Sequence, residues 1–304
     1  MCDPRGSQER LDDIEAKLDR LLAAPVVQLD YVPPAVWEFE EDVGSIFQPL
    51  NLPTAGHRFE EELPRGKHPI QLYGLGTPNG QKVTVLLEEL GVEYDLWIID
   101  IMDLKQFSSG FVQVCPNSKI PAMLDYDVPE GEEPIRVFES GSILLHLATK
   151  YGKFIPACLR KRVECMNWLF WQVSGAPHMG GGFGHFFKYA PVKMAYPINR
   201  YACETKRLLD VLDKHLAGKE FICGEEVTIA DFATMPWIRC IEIAYNAEEF
   251  LQTKSYLHIQ RWMSTLLARE GVQRGLKMGT CDPSGKVIKR HSKEDFDSMV
   301  LPPE

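Results

Sequence analysis

The chain has 304 residues, of which 45% are hydrophobic and 25% charged, and it carries a formal net charge of -10. A chain of this length can bury one large core or two ordinary ones, and we expect two domains. The acidic balance repels phosphate backbones and anionic lipid surfaces, which argues against nucleic acid and membrane partners.

Residues 1–67 are predicted to form an N-terminal extension. In residues 8–24, Leu11, Ile14 and Leu18 recur at spacings of three and four between charged residues, which predicts an amphipathic helix. Two interpretations of this helix stay open, packing on the protein surface or pairing with another helix. The rest of the extension is rich in proline and acidic residues and holds isolated aromatic residues, which favours an ordered arm lying over the next domain.

Residues 68–153 are predicted to form an α/β domain, because strand-like alternation and helical periodicity follow each other along the chain. The predicted strands lie at 69–73, 94–99, 120–125 and 135–138, and the predicted helices at 82–90 and 140–151. This order, βαβ followed by ββα, is that of a thioredoxin-like domain.

Residues 154–275 have a helical and aromatic pattern, which predicts an all-α C-terminal domain. Its clearest helices are expected at 163–173 and 200–216. Thr228 and Asp231 form a capping pair at the start of another helix, which we interpret as structural. The last segment, residues 276–304, is charged and aperiodic and is predicted to be a tail, partly disordered or wrapped on the surface.

The first candidate site lies where the first strand passes into the first helix. Threonine is favoured at the N-cap and proline at the first helical position, so Thr77 and Pro78 mark the predicted helix start. The amides of Asn79, Gly80 and Gln81 would then be unpaired donors at the positive end of the helix dipole, where they can stabilise a thiolate. An ordinary capped helix is the alternative.

Two further motifs follow within the same α/β pattern. A cis bond between Ile120 and Pro121 would present the Ile120 N–H and C=O to an extended peptide, whereas a trans proline would only open an edge strand. At the next helix start, Ser140 suits a carboxylate and Glu139 an α-ammonium, which together match the amino-acid head of a γ-glutamyl group. A capping serine beside a solvated glutamate is the alternative for that pair.

These motifs carry a resemblance to a known family. The segments are GTPNGQKV at 76–83, QFSSGF at 106–111, NSKIP at 117–121 and FESGS at 138–142. With them the chain resembles glutathione transferases, in particular the bacterial nu-class branch, which is related to a prion-forming nitrogen regulator of yeast. The similarity runs from about residue 31 to residue 275.

The resemblance implies a glutathione transferase architecture and a homodimer, each subunit holding two glutathione molecules or one glutathione disulfide. It implies a glutathione-dependent disulfide-bond oxidoreductase, with organic hydroperoxides as further substrates and weak conjugating activity. The attacking thiolate would belong to bound glutathione, so no protein cysteine is required. The alternatives are a non-catalytic glutathione-binding regulator and a conventional conjugating transferase.

The site residues follow from the same resemblance. Thr77 and Asn79 take the place of the usual catalytic Tyr, Ser or Cys. The implied glutathione contacts are Asn51, Thr77, Pro78, Asn79, Gln106, Lys119, Ile120, Glu139, Ser140 and Arg200. One departure concerns the helix after the aromatic motif WLFW, where relatives can carry glutamine two places on, whereas here Gln172 comes one place on and Val173 takes the other position.

The remaining reactive side chains are interpreted as structural. The eight cysteines have no CxxC pair and no zinc-ligand spacing, which is typical of reduced, mostly buried thiols, and Cys115 is expected to be one of them. His178 and His185 are interpreted as walls of the cleft, and no metal is expected. Because no signal-peptide core and no membrane-length apolar run is present, we expect a cytoplasmic protein.

Overall fold

The computed structural model describes residues 32, 34–39, 47–282, 284–291 and 295. The chain divides into two units, residues 1–41 and 42–304. In the described part of the first unit, the rings of Trp37 and Phe39 meet edge to face with centroids 6.3 Å apart. The helix predicted for residues 8–24 lies outside the described residues.

A four-stranded sheet organises the first half of the second unit. Its strands are β1 (Ile70–Gly74), β2 (Tyr94–Ile98), β3 (Ala122–Asp125) and β4 (Ile135–Phe138). Their spatial order is β2-β1-β3-β4, with β1 and β2 parallel and the other two pairs antiparallel. Every residue of β1 is buried, as expected for a central strand.

The predicted order βαβ-ββα is confirmed. Helix α1 (Pro78–Leu90) connects β1 to β2, and after a short helix, α2 (Ser109–Val114), the chain reaches β3, β4 and helix α3 (Ser140–Tyr151). The periodicity did not reveal α2, because six residues are too few to establish a helical period. β3 begins just after Pro121, later than predicted, because proline has no N–H to donate to the sheet.

The second half is helical, as predicted. The elements are α4 (Leu159–Pro177), a π-helical segment (His178–Tyr189), α5 (Ala195–Leu216), α6 (Ile229–Ile243), α7 (Glu248–Leu251), α8 (Leu257–Leu267) and α9 (Glu270–Lys277). The capping box of Thr228 and Asp231 is present at the start of α6, and the Asp231 carboxylate also accepts from Trp262 Nε1 at 2.9 Å. Within the described ranges, no helix combines the length and apolar character needed to cross a membrane.

One hydrophobic core joins the two halves. It contains side chains of the sheet, of α1 and α3, and of the C-terminal helices. Representative members are Leu72, Leu86, Leu144, Leu169, Phe232 and Trp262. The α/β half and the helical half therefore bury apolar surface against each other, and this packing fixes the position of the helical half beside the N-terminus of α1.

The described part of the C-terminal segment folds back onto the α/β half. The Leu96 N–H in β2 donates to the Arg290 carbonyl at 2.8 Å. The Arg290 side chain is only 1% exposed and pairs with Glu88 in α1 through two contacts of 2.8 Å. The sequence predicts a tail that is partly disordered or wrapped on the surface. Its described residues are wrapped on the protein, and the Arg290 side chain reaches the interior.

Candidate functional site

A cavity of about 260 Å³ lies at the N-terminal ends of α1 and α3. Six of the predicted site residues line it, namely Asn79, Gln106, Lys119, Ile120, Glu139 and Ser140. The structure therefore brings together motifs whose residues, from Asn79 to Ser140, lie up to 61 positions apart in sequence. The remaining predicted residues lie around this cavity or away from it.

Helix α1 begins at the cavity wall where the sequence predicts. Thr77 is the N-cap, its Oγ1 accepts from the Gly80 N–H at 3.3 Å, and Pro78 is the first helical residue. The Gln81 N–H donates to the Thr77 carbonyl at 2.8 Å. The expectation of three unpaired amides is therefore wrong for Gly80 and Gln81, since the cap occupies both. The Asn79 N–H has no acceptor among the described residues.

The first turn of α1 is closely packed against the chain that leads into it. A Cβ at Gly80 would lie 2.0 Å from the Leu75 carbonyl oxygen, so this contact requires glycine. The next residue back, Asn79, is half-buried, and its Oδ1 accepts from Trp237 Nε1 of α6 at 2.9 Å. The helical half thus contacts a site residue of the α/β half directly.

The segment before β3 presents free polar groups to the cavity. The Ile120–Pro121 bond is cis, the first of the two alternatives. Neither the N–H nor the C=O of Ile120 has a hydrogen-bond partner among the described residues. Ser118 is buried in the left-handed region with φ 51°, and its Oγ also lacks a partner there. Buried polar atoms are normally paired, so the Ser118 hydroxyl, together with the half-buried Ile120 groups, is suited to a polar ligand.

Glu139 is held in an unusual backbone conformation at the start of α3. It is the N-cap with φ 70°, and Ser140 follows as the first helical residue, buried at the cavity wall. A non-glycine residue with positive φ costs about 1–3 kcal/mol and persists where the surroundings impose it, commonly at binding sites. The arrangement sets a carboxylate beside a helix N-terminus, which is complementary to a zwitterionic amino-acid head.

Sequence reasoning missed Lys82, which lies behind this helix start. Its side chain is 1% exposed, and Nζ lies 2.6 Å from Gln172 Oε1 and 3.3 Å from Ser140 Oγ. Burial lowers the pKa of Lys82 to about 7, although the charge of Glu139 opposes that shift. Lysine is almost never fully buried, so no local sequence signal indicated this position.

The contact with Lys82 also accounts for the departure after the WLFW motif. Gln172 is buried, its Oε1 accepts from Lys82, and its Nε2 has no partner among the described residues. Val173 packs beside α3, since its Cγ2 lies 2.7 Å from the place that a Cβ on Gly141 would take. Both residues of this pair therefore serve the packing between α3, α4 and α1.

Gln106 and the N-terminal arm complete the cavity. Gln106 is buried, and its Oε1 has no partner among the described residues, as at Ser118. Leu50, from a 3-10 turn of the arm, lines the cavity, whereas Asn51 borders a neighbouring cavity of about 450 Å³. The Asn51 Nδ2 donates to the Phe47 carbonyl at 3.0 Å. The arm thus reaches the site, but through Leu50.

Three other predicted residues do not line the cavity. Thr77 uses its hydroxyl as the acceptor of the helix cap, and Pro78 forms the first turn behind it. Arg200 is exposed on α5, where its charge acts on Glu204. Their contacts with a ligand, like that of Asn51, stay predictions.

The reactive side chains interpreted as structural are not among the described residues that line the cavity. Cys115 is buried, and its thiol donates to the Lys119 carbonyl at 3.3 Å, which agrees with a structural role. His178 and His185 belong to the π-helical segment and do not border this cavity, so it gives no support to the cleft-wall interpretation. In the part of the chain that the structure describes, no group of three His, Cys, Asp or Glu side chains could hold a metal ion.

Comparison with known proteins identifies the same two halves. A family model described as Glutathione S-transferase, N-terminal domain, matches residues 77–150, and one described as Glutathione S-transferase, C-terminal domain, matches residues 201–270. The protein named Disulfide-bond oxidoreductase YghU, from Escherichia coli K12, is 52% identical over 278 residues, which are 88% of this chain and 96% of that protein.

Solved structures agree with this match. The glutathione transferase YghU from Streptococcus pneumoniae, complexed with glutathione, is 50% identical with a TM-score of 0.78, over 81% of this chain and 97% of its own. A glutathione transferase from Pseudomonas putida, with one glutathione disulfide bound per subunit, is 38% identical with a TM-score of 0.67, over 70% of this chain and 93% of its own.

Proposed function

This chain belongs to the glutathione S-transferase family, and on that premise we propose that it is a disulfide-bond oxidoreductase in which bound glutathione is the nucleophile. Small disulfides are the proposed substrates, with organic hydroperoxides as a second class. Support comes from the name of the 52% identical relative and from the cavity formed by the predicted motifs.

The proposed binding mode follows from the polar groups of the cavity. Glu139 pairs with the α-ammonium of the γ-glutamyl group, and Ser140 with its carboxylate at the N-terminus of α3. The free N–H and C=O of Ile120 pair with the peptide backbone, as an added strand would. This mode gives a partner to the half-buried backbone groups of Ile120, which have none among the described residues.

The observation that carries the proposal is the position of Asn79. It lines the cavity at the positive end of α1, with a backbone N–H that has no acceptor among the described residues. Among the described residues that line the cavity there is no cysteine and no tyrosine. The site therefore offers donors to a sulfur anion without offering a protein thiol, so the reactive sulfur is supplied by glutathione.

Reduction proceeds by two exchanges. A glutathione thiolate attacks one sulfur of the substrate, the S–S bond breaks, and one substrate thiolate leaves a mixed disulfide behind. A second glutathione thiolate attacks the glutathione sulfur of that mixed disulfide and releases glutathione disulfide and the second substrate thiolate. The two released thiolates take up the protons that the two glutathione thiols lost. Donors at Asn79 speed the first attack by raising the thiolate fraction.

We also propose two glutathione molecules or one glutathione disulfide per subunit, a homodimer and a cytoplasmic location. The glutathione disulfide in the Pseudomonas putida structure supports the first. Exposed apolar side chains of α4 and α5, among them Val163, Phe170 and Tyr196, support a subunit interface. The cysteines of the described residues are free, which agrees with a reducing compartment.

The test compares two reactions of the purified protein, reduction of hydroxyethyl disulfide by glutathione and conjugation of an aromatic electrophile. We expect disulfide reduction to be the faster reaction. Asn79→Ala keeps the backbone N–H and removes the side-chain Nδ2 donor. It should lower the kcat/KM of disulfide reduction by about 10- to 100-fold, because a hydrogen bond to a charged group contributes about 1.5–3 kcal/mol. Asn199→Ala, at an exposed position of α5, is the matched control and should leave the rate unchanged.

Two outcomes would contradict the proposal. Conjugation faster than disulfide reduction would indicate a conventional transferase. Tight glutathione binding without turnover in either reaction would indicate a binding regulator.

A further inference from the structure

The indole of Trp237 makes a hydrogen bond to a site residue from the opposite half of the protein. Trp237 lies on α6 and is only 7% exposed, and its Nε1 donates to Asn79 Oδ1 at 2.9 Å. The two residues are 158 positions apart in sequence. This contact depends on the packing of the helical half against the N-terminus of α1.

The contact determines which end of the Asn79 amide faces the cavity. An indole N–H can only donate, so it pairs with the amide oxygen and never with the amide nitrogen. The Asn79 Nδ2 is therefore turned away from Trp237. It has no acceptor among the described residues, and Asn79 lines the cavity. If the amide rotated by half a turn, its oxygen would face a bound thiolate and repel it.

We propose that Trp237 is a positioning residue, which keeps the Asn79 amide donor directed at the sulfur of bound glutathione. This role rests on the proposed function, because it requires a thiolate at that end of the cavity. Trp237 itself is not one of the described residues that line this cavity. It acts by excluding the amide orientation that would destabilise the thiolate.

The surroundings of Trp237 indicate that its ring position is specified. A Cβ at Gly180, in the π-helical segment, would lie 2.5 Å from Trp237 Cη2 and 2.9 Å from Cζ3. The rigid indole could not avoid such a contact by a small rotation, so glycine at this position is required for the ring to stay in place. The glycine-rich stretch thereby acquires a role in the site that is neither phosphate binding nor metal binding.

The experiment measures the pKa of the glutathione thiol in the binary complex, from the ultraviolet absorbance of the thiolate against pH, in wild type and Trp237→Phe. Phenylalanine keeps an aromatic ring but removes the N–H. We expect the pKa of the bound thiol to rise by about one and kcat to fall by about tenfold, with KM for glutathione changed less than twofold. Trp168→Phe is the matched control, since that indole donates to Glu164 on α4.

A double-variant cycle tests whether Trp237 acts through Asn79. In an Asn79→Ala background, Trp237→Phe should cause no further rise in the thiol pKa, because no amide remains to be oriented. Asn79→Asp keeps an acceptor for Trp237 and removes the donor, so it should raise the thiol pKa even though the indole contact survives. Gly180→Ala should reproduce the Trp237→Phe effect by displacing the ring.

The outcomes separate this inference from the proposed function. An unchanged thiol pKa in Trp237→Phe, or an equal rise with and without Asn79, would overturn the positioning role even if the wild type reduces disulfides. If the wild type did not reduce disulfides but the thiol pKa still depended on both residues, the positioning role would stand and the proposed function would fail.

Discussion

Lys82 places an amino group inside the protein, directly behind the residue that begins α3. Its hydrogen-bond partners, Ser140 Oγ and Gln172 Oε1, are neutral, and Glu139 is the charge that stabilises its protonated form. Burial of an ammonium group without an ion pair is unfavourable, and a lower pKa is the usual response. The residue is therefore half-protonated close to neutral pH.

This pKa predicts a pH dependence of stability. Lys82 titrates at about 7 in the native state and at about 10.4 in the unfolded chain. Between these values the unfolded state binds more protons, so the contribution of Lys82 to the free energy of unfolding rises with pH, by about 1.4 kcal/mol per pH unit. Urea unfolding of Lys82→Met should lack this rise between pH 7 and about 10.

Lys289→Met is the control for that prediction, since Lys289 is exposed. This variant should show the same slope of unfolding free energy against pH as the wild type. Parallel pH profiles for the wild type and Lys82→Met would contradict the lowered pKa. The comparison of slopes removes the contributions of other titrating groups, which are common to both proteins.

At the scale of elements, the start of α1 depends on close contact with the chain before it. The turn from β1 brings the Leu75 carbonyl against Gly80, which leaves no room for a side chain in the first turn. That close approach lets the Thr77 cap form and sets Asn79 at the cavity. The glycine is thus part of the site through geometry alone.

Gly80→Ala is expected to lower the free energy of unfolding by about 1–3 kcal/mol, because the added methyl must displace the Leu75 carbonyl. Gly181→Ala is the matched control, since Gly181 is exposed in the π-helical segment with nothing within 4 Å of its Cβ position. Urea unfolding should show the control unchanged or more stable. Equal stability of the two variants would contradict the close-contact argument.

The elements that the sequence predicted are those with a strong local signal. Thr77 and Pro78 marked the start of α1 because cap and first-turn preferences are local, and the NSKIP motif placed Ile120 at the cavity. The positive φ of Glu139 could not be predicted, since tertiary contacts impose it. The Lys82–Gln172 and Trp237–Asn79 pairs were equally hidden, because each joins residues at least 90 positions apart.

At the scale of the whole molecule, the C-terminal segment is held by a buried ion pair. Arg290 is bidentate to Glu88, and Tyr94 Oη and Arg274 Nε also lie 3.0 Å from the same carboxylate. A buried charge that loses its partner is strongly unfavourable. The segment after α9 is therefore part of the folded structure through Arg290.

Arg290→Leu is expected to lower the free energy of unfolding by about 3 kcal/mol, the lower end for a broken buried pair, because Arg274 remains beside Glu88. Urea unfolding measures the effect, and Lys289→Leu at the exposed neighbouring position should leave stability unchanged. In a Glu88→Gln background, Arg290→Leu should lower the free energy of unfolding by less, since no Glu88 carboxylate is left uncompensated. An equal loss in both backgrounds would show that Arg290 acts through other contacts.

The bond from Leu96 to the Arg290 carbonyl has a consequence for how molecules meet in a crowded solution. β2 is an outer strand of the sheet, and a strand of a second molecule could pair with its edge if that edge were unpaired. At Leu96, the described C-terminal segment already pairs with this edge through the Arg290 carbonyl. A proteolytic cut after α9 would remove this pairing, so the described segment around Arg290 protects the intact enzyme against sheet-to-sheet aggregation.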